Sequence, residues 1–136
     1  MRYFKFTKLV RDGVIKSMQD NPLQEPKGVH KLSDQEFKNE LIKKLKEEVE
    51  ELANSETEEE YKEELADIYE LLKYLAQLSN VSDDDISLLM QKKVDKAGGF
   101  EGRQFIESVG IDEQDVDRLK NYTDNPDKYP EIIDTI

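Results

Sequence analysis

A chain of 136 residues, 38% of them charged and with a net charge of −12 at neutral pH, has room for one domain with its own core. Its acidity disfavours binding of a nucleic acid polymer, which rests on neutralising phosphates. It contains no cysteine, which excludes disulfides and thiolate chemistry, and one histidine, His30, which excludes sites that need two.

No apolar run approaches the ~20 residues that span a bilayer, and the opening Met1-Arg2-Tyr3-Phe4-Lys5-Phe6 lacks a secretory apolar segment. A cytoplasmic protein without a membrane partner is the expectation. Arg2 to Phe6 alternates in the manner of a short extended piece, and Asp12 to Asp20 reads as a short helix. The stretch 21–31, with Pro22, Pro26 and Gly28, ends that helix and leaves His30 as a loop residue. Ser33-Asp34-Gln35-Glu36 is a capping box that opens a long helix to about Asn54, and Ser55-Glu56-Thr57-Glu58 offers a second, for a helix running to about Ser79. Ser82 caps a third long helix that ends at Gly98, where glycine suits the left-handed conformation of a helix terminus. These three helices are expected to carry the core. A shorter helix near Asp112 to Asn121 precedes a polar tail from about residue 122, whose Ile132, Ile133 and Ile136 are expected to dock on the body or on a partner chain. No internal repeat or convincing linker divides the sequence, so residues 1–136 are read as one all-α domain, a helical bundle.

The acidity is local. Between Glu47 and Glu70 lie twelve acidic residues against one base, Lys62, so this window holds −11 of the net −12. On a helix of 3.6 residues per turn, the apolar stripe Leu41, Ile42, Leu45, Val49 and Leu52 has Glu48 roughly 70° and Glu51 roughly 130° from its centre. In the next helix the stripe Tyr61, Leu65, Ile68, Leu71, Leu72 and Leu75 has Glu64 roughly 60° and Asp67 roughly 120° away, in the same sense. Packed as an antiparallel hairpin, the two helices bring four carboxylates to one place. Gathered within ~4–6 Å without a cation they would raise each other's pKa, whereas Mg²⁺ or Mn²⁺ accepts oxygen ligands of this kind. A single pair of glutamates three apart is usually a solvated face, and Lys44 is placed at i,i+4 to pair with Glu48. Tyr61, Tyr69 and Tyr74 follow helical spacing, as core or interface residues do. Neither a phosphate-binding Gly-x-x-x-x-Gly-Lys loop nor a dinucleotide fingerprint occurs.

The pattern Glu47-Glu48-x-x-Glu51, a gap, then Glu64-x-x-Asp67 resembles the signature of the all-α nucleoside triphosphate pyrophosphohydrolases, the MazG and phosphoribosyl-ATP pyrophosphohydrolase-like group. Lys8-Leu9-Val10-Arg11-Asp12 is similar to the Lys-Leu-Val-Arg-Asp opening of the latter branch. Lys93 to Phe100 is similar to its Lys-x-x-x-Arg-Gly-Gly-Phe segment, with Ala97 where that branch has arginine and with Lys96 and Arg103 close by. The resemblance implies a MazG-like bundle whose long antiparallel helix pair carries the metal site, and hydrolysis of a nucleoside triphosphate to a monophosphate and pyrophosphate, as in house-cleaning of the nucleotide pool. Glu48, Glu51, Glu64 and Asp67 would hold Mg²⁺, with Mn²⁺ as a substitute. Glu47, close in rotation to Glu51, is the candidate general base. Lys8, Arg11, Lys93 and Lys96 are candidate phosphate contacts, since an anionic substrate approaching acidic residues needs positive charge besides the metal.

Helices apolar on more than one side need a further partner. Ile86, Leu89, Met90 and Val94 stripe the third helix, while Tyr69 and Ala76 widen the second. A homodimer or homotetramer is therefore expected, as the family resemblance also implies. The competing reading is a non-enzymatic acidic helical module that binds a basic partner, which predicts carboxylates scattered around the helices rather than matched beside the apolar stripes.

Overall fold

The computed structural model describes residues 1–133; Ile136, expected to dock, lies outside the described residues. Among those described, the fold is all-helical: α1 (Asp12–Asp20), α2 (Asp34–Ala53), α3 (Glu58–Leu78), α4 (Asp83–Ala97) and α5 (Val116–Thr123). Residues 2–6, expected to be extended, form no regular element. No helix among the described residues is long and apolar enough to cross a membrane.

Local chemistry fixes the helix ends. Ser33 Oγ accepts from the Glu36 amide at 3.2 Å while Glu36 Oε1 accepts from the Ser33 amide at 3.1 Å. This reciprocal box satisfies two otherwise orphaned donors and holds the Glu36 carboxyl below its usual pKa. The second box is shifted by two residues from its expected position. Thr57, not Ser55, caps α3 by accepting from Glu60 N at 3.1 Å, and Glu60 reaches back to the Glu56 amide. Ser82 and Asp85 form a third exchange at the start of α4, at 3.1 Å in each direction. At its other end α3 stops on Asn80, at φ 54°, with Val81 N donating to Ala76 O at 2.9 Å, a six-to-one closure. Gly98, at φ 81°, plays the same terminal role after α4.

The chain forms two compact units, Met1–Lys96 and Ala97–Ile136. In the first, α2 against α3 is the extensive helix contact, and α4 makes none of comparable extent with either. The pair is antiparallel. Phe37, early in α2, meets Tyr74, late in α3, edge-on at 6.3 Å between ring centroids, while Glu48 and Glu64 meet near the connecting turn. Both helices exceed five turns, about 30 Å each, and the seam between them is long for their burial.

The contact face differs from the expected stripe. Leu41 and Leu71 are the buried apolar residues, and Leu45, Leu52, Ile68, Leu75 and Leu78 are half-buried around them. Ile42, Val49, Tyr61 and Leu72, all assigned to the stripes by sequence, stay exposed. Measured from Leu41, Glu48 is rotated by only about 20°, so the helix turns a carboxylate into the seam and leaves Ile42 and Val49 about 80–100° away on a second face. Each stripe was wider than one neighbouring helix covers, and the seam took only part of it.

The expectation that three helices share the core is also corrected. Ile86, Leu88, Leu89, Met90 and Val94 of α4 are all exposed. In the second unit, Asp115 caps α5 by accepting from Arg118 N at 3.3 Å and pairs with its guanidinium at 3.2 Å. Tyr122 packs on Tyr129 at 4.4 Å between centroids, whereas Ile132 and Ile133 remain exposed and dock on nothing described.

Leu41, 1% exposed, is the best-enclosed apolar side chain of the seam. Leu41→Ala is expected to lower the unfolding free energy by about 2–5 kcal/mol. Leu23→Ala, at a site 86% exposed, should change it by less than about 0.5 kcal/mol. Urea melts of the two variants check this; equal effects would mean that the seam does not hold the fold.

Candidate metal centre

The carboxylates meet where α2 approaches its C-terminus and α3 has just begun. Glu48 sits on the contact face with 9% of its surface exposed; Glu64 faces it half-buried, and Glu51, one turn beyond Glu48, is exposed. One oxygen from each of these three lies within 4.8 Å of the other two. No amide, hydroxyl or basic group donates to Oε2 of Glu48 or to Oε2 of Glu64, both of which are buried. Two ionised carboxylates have no proton to share, so the contact is repulsive as it stands.

Glu48 answers that repulsion by holding its proton. Burial first, then the hydrogen bond that its protonated form donates to Glu64, then the charges of Glu51, Glu64 and Asp67 push its carboxyl up to about 8. A carboxyl raised by burial and by neighbouring carboxylates marks a candidate functional site. The donor set is all oxygen, which suits a hard divalent cation such as Mg²⁺ or Mn²⁺ rather than one that favours nitrogen or sulfur.

The structure joins some expected residues and separates others. Glu48, Glu51 and Glu64 come together. Asp67 lies one turn after Glu64 but outside the triad, its Oδ1 held by Arg11 Nη2 at 3.1 Å. Arg11, expected at a phosphate, instead spans Asp67 and Glu70, with Nη1 at 2.9 Å from Glu70 Oε1; these two carboxylates keep its guanidinium charged. Glu70 was not singled out by sequence, although its i,i+3 spacing from Asp67 made a shared cation available. Glu47 is half-buried on the flank of α2, in a shallow notch lined also by Thr7, Lys8, Leu9, Glu40, Lys43 and Lys44. Lys8 and Glu47 thus line the same notch. Lys44 faces this notch and makes no ion pair with Glu48, because Glu48 has turned into the seam. Lys93 and Lys96 lie on α4, which makes no extensive contact with α2 or α3, and are exposed.

Comparison of the chain with protein-family models, with curated proteins and with solved structures returned no match.

The raised Glu48 carboxyl has a signed consequence for the metal-free protein. Between an unfolded value of about 4.3 and the folded value of about 8, the native state binds a proton that the unfolded chain does not. Stability from this group is therefore complete below the lower value and is lost as pH rises toward the upper one. In EDTA the melting temperature should fall between pH 5.5 and 8.5, and Glu48→Gln should remove most of that fall. A pH-independent melting temperature in the wild type would contradict the buried acid.

Proposed function

We propose that this protein is a Mg²⁺-dependent nucleoside triphosphate pyrophosphohydrolase, with Mn²⁺ as an alternative metal, acting on the cytoplasmic nucleotide pool as a homodimer or homotetramer. The observation that carries this reading is the burial of Glu48 Oε2 opposite Glu64 Oε2, with no amide, hydroxyl or basic donor on either. A group of this kind is costly unless something completes its coordination, and a divalent cation does so with the ligands at hand. Glu48, Glu51 and Glu64 would hold the ion, with Asp67 within one helical turn as a fourth ligand. Bound there, Mg²⁺ would neutralise a triphosphate and polarise its phosphoryl oxygens.

The remaining roles fall to the chain's own side chains. Glu47 takes a proton from the attacking water, its place on the flank keeping it free of the triad. Lys8, beside it in the notch, binds a phosphate of the substrate. Lys93 and Lys96 act from a second subunit, since α4 makes no extensive contact with α2 or α3 of its own chain. Assembly is further supported by apolar surface on two sides. Ile42, Val49, Tyr61 and Leu72 are exposed on the hairpin, and Ile86, Leu89, Met90 and Val94 on α4, more than a lone chain usually leaves open. The acidic-module reading draws on the exposed Glu50, Glu56, Glu58, Glu59, Glu60 and Glu63, but it gives no reason for Glu48 to be buried.

Millimolar Mg²⁺ is expected to raise the melting temperature, as does any ligand selective for the native state, and Glu64→Gln should abolish most of the rise. A screen of common and modified nucleoside triphosphates and their deoxy forms for pyrophosphate release identifies the substrate. No release from any of them, with no effect of Mg²⁺ on melting, would sink the enzyme reading.

Glu47→Gln should leave Mg²⁺ binding nearly intact and lower turnover by about 10²–10⁴-fold. Retained wild-type turnover would remove Glu47 from the mechanism. In light scattering, a mass that stays near 15.9 kDa at high micromolar concentration would exclude the assembly.

A further inference from the structure

Arg11 reaches two acidic residues of α3, Asp67 at 3.1 Å and Glu70 at 2.9 Å. Among the described residues, these are the ion pairs that join segments distant in sequence; the others are local, within four residues. Arg11 is also the residue that precedes the first turn of α1. Its guanidinium thus ties the N-terminal segment to α3 through side chains that lie beside the carboxylate triad.

Asp67 has two claims on it. It follows Glu64 by one turn of α3, and its Oδ1 is already committed to Arg11. A carboxylate oxygen neutralised by a guanidinium is a poorer ligand for a second cation. The guanidinium is held loosely enough to yield, since the Arg11 side chain is 61% exposed and Asp67 39%. We infer that Arg11 and the divalent cation compete for Asp67, so that filling the metal site releases the N-terminal segment from α3. The inference rests on the metal-site reading given under the proposed function and adds a coupling to it. By linkage the effect is reciprocal: docking of the segment weakens metal binding by the same factor by which metal weakens docking.

Two measurements test it together. Mg²⁺ is titrated calorimetrically into the wild type, Arg11→Met and Arg11→Lys, and hydrogen exchange of residues 8–14 is followed in the wild type with and without saturating Mg²⁺. Exposed ion pairs hold their partners weakly, so both variants should bind Mg²⁺ about two- to fivefold more tightly, and exchange in the wild type should quicken when Mg²⁺ is added. Arg11→Lys keeps the charge and loses the fork that reaches both carboxylates. Tighter binding by Arg11→Met alone would assign the effect to net charge and overturn the competition. Weaker binding by either variant would make Arg11 a support for Asp67 and overturn it as well. Unchanged exchange on Mg²⁺ binding overturns it from the wild type alone, without any variant having to fold. Wild type that takes up no Mg²⁺ removes the metal-site reading itself, an outcome distinct from a bound ion that leaves Arg11 in place.

Discussion

A carboxyl group inside an apolar seam sets the terms for the rest of this molecule. Glu48 lies about 20° from Leu41 on the face that α2 turns toward α3, and Glu64 answers it from the other helix. The two helices therefore close on leucines along most of their length and on carboxylates near the connecting turn. The leucine part supplies the non-directional gain of removing apolar surface from water. The carboxylate part opposes closure until the charge is relieved, by a proton on Glu48 or by a cation among the oxygens. A hairpin built in this way has its candidate metal site and its folding interface in one place.

The same rotation of α2 that buries Glu48 uncovers Ile42 and Val49, and the corresponding rotation of α3 uncovers Tyr61 and Leu72. Each helix thereby presents an apolar strip on its flank beside a charged or half-buried strip on its inner face. With α4 also leaving its apolar residues open, the first unit carries apolar surface that a two-helix seam has no means to cover. Scattered apolar residues on a surface need no explanation, but these recur along three helices at helical spacing.

Positive charge is distributed around the carboxylates rather than among them. Arg11 neutralises Asp67 and Glu70 on one side, while Lys8, Lys43 and Lys44 line the notch that holds Glu47 on the other. Among the described residues, no basic side chain pairs with the triad between them; the ion pairs stop short of it. A local net charge as negative as that of the window 47–70 is tolerable at the surface because water screens it. Inside the seam it is not screened. This contrast explains why, in a stretch with twelve acidic residues, the raised carboxyl is the one at Glu48.

What the sequence by itself determined was one-dimensional. Ser33 with Glu36, and Ser82, marked two helix starts because capping is decided within four residues, and α1 follows the span read from its pattern. The helical class and the spacing that sets Glu48 and Glu51, and Glu64 and Asp67, one turn apart on their helices depend only on the 3.6-residue repeat. The second cap slipped from Ser55 to Thr57 because both residues offered a hydroxyl and only the path of the turn distinguishes them. Which part of a wide apolar stripe becomes the seam was left to tertiary structure, since several rotations of α2 bury leucine equally well and only the partner helix selects one. That selection turned Glu48 inward and Lys44 toward the notch. The partner of Asp67 was likewise decided in three dimensions: Arg11 lies 56 residues away along the chain, and ion pairing follows distance in space, which no local pattern encodes.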